Sequence, residues 1–225
     1  MSDLLRSRIE ETLLSPAATI SEIEALCESA IRHRFVGVCV SPVYVSRVAA
    51  RLEATGIAAV TVIGFPSGMH RSDAKAFEAA RAVEDGAVEL DVVLPAGLVR
   101  SGTASDEAVR ADVTAVVRAA GGRVVKAILE TSRLTDSEKV RAAALATQAG
   151  ASYLKTSTGF GPSGATVEDV QLLRREAGTA LGVKASGGIR TLHDALRMIA
   201  AGADRIGTSA GVAIVTSLPR STSVS

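Results

Sequence analysis

Four ionisable residues interrupt segments that are otherwise apolar. They are Asp91 in VELDVVL (88–94), Lys126 in VVKAIL (124–129), Lys155 in SYLKTS (152–157) and Lys184 in LGVKAS (181–186). A lysine is costly to bury in such a segment unless it is paired or functional. Three lysines facing one obvious acid form an unbalanced cationic cluster, which disfavours the protonated form of each member and depresses at least one lysine pKa. A neutral amine is what attack on a carbonyl carbon requires. Asp91 in that setting can hold a lysine or a water for proton transfer. The alternative is a structural ion network in which Asp91 neutralises one lysine, and the excess of cations argues against it.

A second group of residues suits an anion. The stretches TSTGFGPSGAT (156–166), ASGGIRT (185–191) and GTSAG (207–211) are rich in Gly, Ser and Thr. Each follows an apolar segment, where backbone N–H groups at a barrel mouth or helix start bind phosphate. Turn chemistry explains any one of them, but three converging on one mouth point to a phosphate site.

The elements that must position these residues alternate along the chain. FVGVCV (35–40), AAVTVIGF (58–65), VELDVVL, VVKAIL, SYLKTS, LGVKAS and RIGTS (205–209) read as buried parallel strands, with IEETLL (9–14) a weaker first candidate. Between them lie segments of helical period. Ser21 and Glu24 form a capping-box pattern, as do Thr135 and Glu138, and Pro42 takes a first helical position after Ser41. Helices stop at Gly56, Gly86, Gly121, Gly150, Gly178 and Gly202.

About eight strand–helix units without a break in composition predict one α/β domain over 1–215, with a flexible tail over 216–225. A closed (β/α)8 barrel and an open doubly wound sheet both fit. The chain lacks a Gly-x-Gly-x-x-Gly fingerprint after the first strand and a Walker loop, which weakens the open-sheet reading. A weak repeat favours the barrel: GAVELD (86–91), GASYLK (150–155) and GADRIG (202–207) align, placing Asp91, Lys155 and Gly207 at matching positions. A second pair, GVC (37–39) and GVK (182–184), matches Cys39 to Lys184. Alternation along a strand then turns Tyr153 and Ser157 inward with Lys155.

Bulk properties exclude other classes. The chain has 225 residues, is 47% hydrophobic, and carries a formal net charge of +1, so no basic field favours nucleic acid. No apolar run approaches the ~20 residues of a membrane helix. Cys27 and Cys39 read as free thiols, which fits the cytoplasm. His33, His70 and His193 show no metal spacing and are expected in surface or cap roles; His70, after VIGFPSG, is placed where it could rim the mouth.

VCVSP (38–42), VIGFPSG (62–68), VEDGAVELDVV (83–93), VVKAILET (124–131), YLKTSTGFGPSGATVEDV (153–170), GVKASGGIRT (182–191) and RIGTSAGVAIV (205–215) together carry a resemblance. Over nearly its whole length the chain resembles the deoxyribose-phosphate aldolase family, a class I Schiff-base-forming family with a TIM barrel. The KTSTG and KASGGIR pair, in this order and spacing, is highly specific. The resemblance implies reversible cleavage of 2-deoxy-D-ribose 5-phosphate to acetaldehyde and D-glyceraldehyde 3-phosphate, no metal or organic cofactor, and a homodimer. It puts the Schiff base on Lys155, the second lysine on Lys184 and the proton-relay acid on Asp91. Lys126, Thr12, Cys39 and Thr158 fall on the substrate site, and Gly159, Gly187, Gly188, Gly207 and Ser209 on the phosphate site.

The chain departs from the family pattern in places. Glu10-Glu11-Thr12 stands where the family often has Asp-His-Thr, Phe160 where some members have a lysine, and Ala210 where others have a second serine. Phosphate binding is therefore expected to lean on the backbone and on Arg190. SLPRSTSVS (217–225) lacks the tyrosine in which some members end, which leaves that proton step to water or another group. Three rival readings remain: another lysine-dependent barrel aldolase or transaldolase, a phosphate-binding isomerase or lyase that forms no imine, and a non-catalytic sugar-phosphate binding protein.

Overall fold

The structure, a computed structural model, describes residues 2–218. Eight parallel strands form its centre: β1 (Ile9–Leu13), β2 (Gly37–Val40), β3 (Ala58–Ile63), β4 (Glu89–Val93), β5 (Val124–Ile128), β6 (Tyr153–Lys155), β7 (Gly182–Ser186) and β8 (Arg205–Thr208). They pair in chain order and β8 pairs back onto β1, which closes a barrel. The helices are α1 (Ser2–Arg6), α2 (Ile20–His33), α3 (Val45–Leu52), α4 (Ser72–Glu84), α5 (Ala96–Arg100), α6 (Asp106–Ala119), α7 (Asp136–Gln148), α8 (Val167–Ala177), α9 (Leu192–Ala200) and α10 (Gly211–Thr216). The closed barrel decides between the two architectures left open by the sequence. The weak candidate IEETLL is a true strand, β1.

Alternation sorts the strand residues into two cores. Val38, Val40, Ile63, Leu90, Val92, Val125, Ala127, Leu154, Val183, Ala185 and Ile206 join the large cluster between strands and helices. Cys39, Val60 and Val62 form a separate, smaller apolar cluster. This smaller cluster and the charged residues of β1 and β4–β7 fill the barrel interior, so the interior is half apolar and half ionic.

Most of the punctuation read from the sequence is present. Thr135 caps α7 with Glu138 as a full capping box. At α2 the box is Thr19–Glu22, two residues before the expected Ser21–Glu24. Both pairs satisfy the pattern, but Thr19 is the residue with extended dihedrals (φ −96°, ψ 160°), and Ser21 lies inside the first turn. Pro42 opens a single 3-10 turn, Pro42–Tyr44, that leads into α3. Gly202, two residues past α9, has φ 112°, and a Cβ there would meet the Arg174 side chain at 2.8 Å, so both conformation and space require glycine. The boundary expected at 215 falls within α10, and residues 219–225 of the expected tail lie outside the described residues.

Glu11 points outward from β1 and lies against the Gly211 backbone at the start of α10. It is 5% exposed, and its Oε2 has no well-formed hydrogen bond. Burial pushes its pKa up from 4.5 to about 7, with the Gly211 N–H only partly offsetting it. The native state therefore keeps the proton to about pH 7, whereas the unfolded chain releases it near 4.5. The stability tied to this proton is complete below pH 4.5 and is lost as pH rises through 7. The difference amounts to on the order of 3 kcal/mol at most. Glu11→Gln keeps the shape and an acceptor but cannot ionise. Urea unfolding at pH 5 and pH 8 is expected to show the variant gaining on the parent by ~1–3 kcal/mol at the higher pH. Equal pH slopes for the two proteins would contradict this account of Glu11.

Candidate active site

The barrel register brings the four ionisable strand residues to one point. Asp91 on β4 stands beside Lys126 on β5, and Lys155 on β6 stands beside Lys184 on β7. Asp91 accepts from all three lysines. Lys155 Nζ lies 2.7 Å and Lys184 Nζ 2.6 Å from Oδ2, and Lys126 Nζ lies 3.0 Å from Oδ1. None of the four is more than 3% exposed.

The acids are more numerous than the sequence suggested. Glu10 on β1 accepts from Lys184 Nζ and lies 3.6 Å from Lys126 Nζ. Glu89, one turn of the pleat below Asp91, lies 2.5 Å from Lys126 Nζ. The cluster thus pairs three lysines with three carboxylates and is not a bare excess of cations. Glu10, one of the departures from the family pattern, is a member of the cluster. What the sequence did not reveal is the closure of β1 against β8, which swings Glu10 round to β7.

The electrostatics still separate the lysines. Burial pushes the Lys155 ammonium below its usual range, and the neighbouring Lys184 charge adds to this, while Asp91 opposes both. Burial would also lower Lys184, but Asp91 and Glu10 outweigh it and hold that ammonium above its usual value. Lys126 is raised for the same reason by Asp91 and Glu10. Burial alone would raise the Asp91 carboxyl, but Lys126, Lys155 and Lys184 together hold it well below the carboxylate range. The depressed amine therefore arises mainly from dehydration, not from a surplus of positive charge.

A cavity of about 440 Å³ opens at the C-terminal ends of the strands, with Lys155 on its wall. Thr12, Thr158, Gly159, Gly187, Gly188, Gly207 and Ser209 line it, and Arg190 stands at its rim. Asp91, Lys184, Lys126 and Cys39 do not line it. Asp91 holds the Lys155 amine from within the barrel, and Lys184 shares the same Oδ2. Lys126 lies lower still, 6.0 Å from the Tyr153 ring centroid, away from the wall where the resemblance placed it. Cys39 is fully buried between the apolar Val60 and Val62 and the charged cluster of Lys184, Asp91, Lys155 and Glu10, and burial pushes its thiol up to about 11.

The sequence left several wall residues unassigned: Leu13, Leu14, Pro16, Ser186 and Ile189. Phe160 also lines the cavity and meets Phe65 edge to face, ring centroids 5.3 Å apart. His70 is exposed beside Arg71 and Pro95, outside the mouth, because the chain after Gly68 has already turned toward α4. His33 stacks on Phe35, and His193 is exposed in the first turn of α9. Among the described residues no three His, Cys, Asp or Glu side chains converge as a metal site requires.

Residues 8–217 match the family described as DeoC/LacD family aldolase. The chain belongs to this aldolase family. It is 51% identical over 210 residues to the deoxyribose-phosphate aldolase of Thermoanaerobacter sp. (strain X514), covering 92% of this chain and 93% of that one. It is 48% identical over 216 residues to that of Geobacillus sp. (strain WCH70), covering 96% of each. The tetrameric deoxyribose phosphate aldolase structure from Aeropyrum pernix superposes with a TM-score of 0.90 at 38% identity, covering 96% of this chain and 92% of that one. This chain is thus a TIM-barrel lyase of the class I aldolase type.

The geometry predicts opposite pH shifts for two variants of the aldolase. Imine formation needs the neutral amine, so its rate rises with pH through the Lys155 pKa. Lys184→Met removes a neighbouring cation and moves that limb to higher pH, whereas Asp91→Asn removes an anion and moves it lower. Charges ~4 Å apart interact by ~4 kcal/mol at an effective dielectric near 20, so each shift is expected to exceed about one unit. Reductive labelling of Lys155 with acetaldehyde and cyanoborohydride across pH measures both, and shifts of the same sign overturn the charge assignment.

Proposed function

We propose that this aldolase cleaves 2-deoxy-D-ribose 5-phosphate reversibly to acetaldehyde and D-glyceraldehyde 3-phosphate through a Schiff base on Lys155. The observation that carries this reading is a dehydrated amine on the wall of a mouth cavity whose far side is built of glycine-rich loops. Both the Thermoanaerobacter and the Geobacillus relatives bear the corresponding name, which supports the choice of substrate.

In this reading Lys155 attacks C1 of the open-chain sugar, and loss of water leaves an iminium. The C3 hydroxyl gives up its proton, and the C2–C3 bond breaks with its electron pair flowing to the iminium nitrogen. D-Glyceraldehyde 3-phosphate departs and an enamine remains. Protonation at C2 and hydrolysis release acetaldehyde and restore Lys155. Lys184, held cationic by its two acids, serves as a fixed positive charge and proton donor. Asp91 and water complete the proton path. Gly159, Gly187, Gly188, Gly207 and Ser209 offer backbone N–H groups to the phosphate, with Arg190 the cation at the rim. Thr12 and Thr158 stand beside the substrate. Lys126 and Cys39 support the site from below the wall. Holding both ends of the sugar can supply roughly 7 kcal/mol or more of the barrier in well-oriented systems.

We further propose a homodimer acting in the cytoplasm, with no nucleic-acid or membrane partner. Cys27 and Cys39 are free and buried, and no helix among the described residues is long and apolar enough to cross a membrane. Borohydride reduction in the presence of deoxyribose 5-phosphate tests the chemistry. Mass spectrometry is expected to find one substrate-dependent adduct, on Lys155, absent from Lys155→Ala. An unmodified Lys155 under turnover conditions would leave an imine-free lyase or isomerase as the better reading.

A further inference from the structure

Glu130 follows β5 at the barrel mouth and combines two unfavourable features. Its backbone is left-handed, φ 56° and ψ 59°, a conformation unfavourable for a residue that carries a Cβ. Its side chain is 4% exposed, yet Oε1 has no hydrogen-bond partner. An unpaired buried carboxylate oxygen is unfavourable as well. The backbone pairing of this segment with the chain after β6 continues past Ile128, with the Leu129 N–H on the Lys155 carbonyl at 2.9 Å and the Thr131 N–H on the Thr156 carbonyl at 3.0 Å, and neither bond uses the Glu130 side chain.

The other oxygen shows what the residue holds. Glu130 Oε2 accepts from the Thr158 hydroxyl and from the Thr158 backbone N–H at 3.3 Å. The same hydroxyl accepts from the Phe160 N–H at 3.0 Å. Gly161 crosses directly above the carboxylate, so closely that a Cβ there would lie 2.7 Å from Oε1. On the opposite side the same loop is tied to β7: Ser186 Oγ donates to the Ser157 carbonyl at 2.6 Å, and the Ala165 N–H reaches the Ser186 and Gly187 carbonyls. The loop after β6 thus hangs between Glu130 and Ser186, and it carries the cavity-lining residues Thr158, Gly159 and Phe160.

We propose that Glu130 is a positioning residue. Acting through Thr158, it fixes the loop after β6 so that the Gly159 amide faces the phosphate end of the substrate, and it does not touch the reacting carbons. The inference rests on the aldolase reading above. Displacing a positioned loop by about 1 Å can cost up to ~100-fold in such systems. The cost should fall on recognition of the phosphorylated end.

Glu130→Gly tests this directly, because it removes the carboxylate while relieving the left-handed strain. Its thermal midpoint is expected to equal or exceed that of Glu130→Ala. Its KM for deoxyribose 5-phosphate should rise about tenfold or more, with kcat changed less. Reductive labelling of Lys155 by acetaldehyde, which has no phosphate, should stay within about twofold of the parent. Glu130→Gln keeps an acceptor for Thr158 and should recover most of the KM. An unchanged KM in Glu130→Gly overturns the proposal, as does an equal loss in acetaldehyde labelling, which would mean general damage to the site. Absence of any deoxyribose 5-phosphate adduct in the parent protein would instead overturn the aldolase reading itself, and this inference with it.

Discussion

A single buried carboxylate organises the interior. Asp91 accepts hydrogen bonds from three ammonium groups on three successive strands, and it is fully enclosed. Such a cluster is stable only while complete, because withdrawing one partner strands the others without water or counter-charge. β4, β5, β6 and β7 must therefore meet at fixed heights, and β1 must close against β8 so that Glu10 reaches Lys184. The apolar outward faces of the strands supply the burial that permits this, and the ionic interior fixes the register at which it happens.

Chemistry within the cluster follows from how the anions are shared. Lys184 has Asp91 and Glu10; Lys126 has Asp91, Glu89 and the more distant Glu10. Lys155 has Asp91 alone, and shares it. Dehydration acts on all three, but only Lys155 lacks enough negative company to offset it. The same lysine is the one on the cavity wall. A depressed pKa and access to the cavity thus coincide in Lys155. The surplus of cations read from the sequence pointed to at least one depressed lysine and the resemblance to Lys155; Glu10 and Glu89 remove that surplus.

What was legible in the sequence was whatever repeats locally. Strand positions followed from apolar runs, inward orientation from alternation and the Gly-Ala repeat, and helix ends from glycine. What was not legible depends on contacts between distant strands. Glu10 and Lys184 are 174 residues apart and meet only because the barrel closes. The height of Lys126 depends on the β5–β6 register, which sets it opposite Tyr153, two residues below Lys155, and which no single segment encodes, so a lysine assigned to the wall sits beneath it. Arg34 ends α2 in a left-handed turn with no glycine to mark it, and Glu130 does the same at the mouth. Both are positions where surroundings override local preference.

The brevity of β6 ties these observations together. It has three residues and stops at Lys155, with only the Thr156 backbone still bonded to both neighbouring segments beyond it. Only Thr156, Ser157 and Thr158 separate Lys155 from Gly159. The reactive end of the cavity and its glycine-lined end are therefore the two ends of one short segment. Thr156 and Ser157 are clasped by Ser186, Thr158 by Glu130, and the Leu129 N–H bonds the Lys155 carbonyl at 2.9 Å. A segment that short and that constrained cannot vary the spacing between amine and loop.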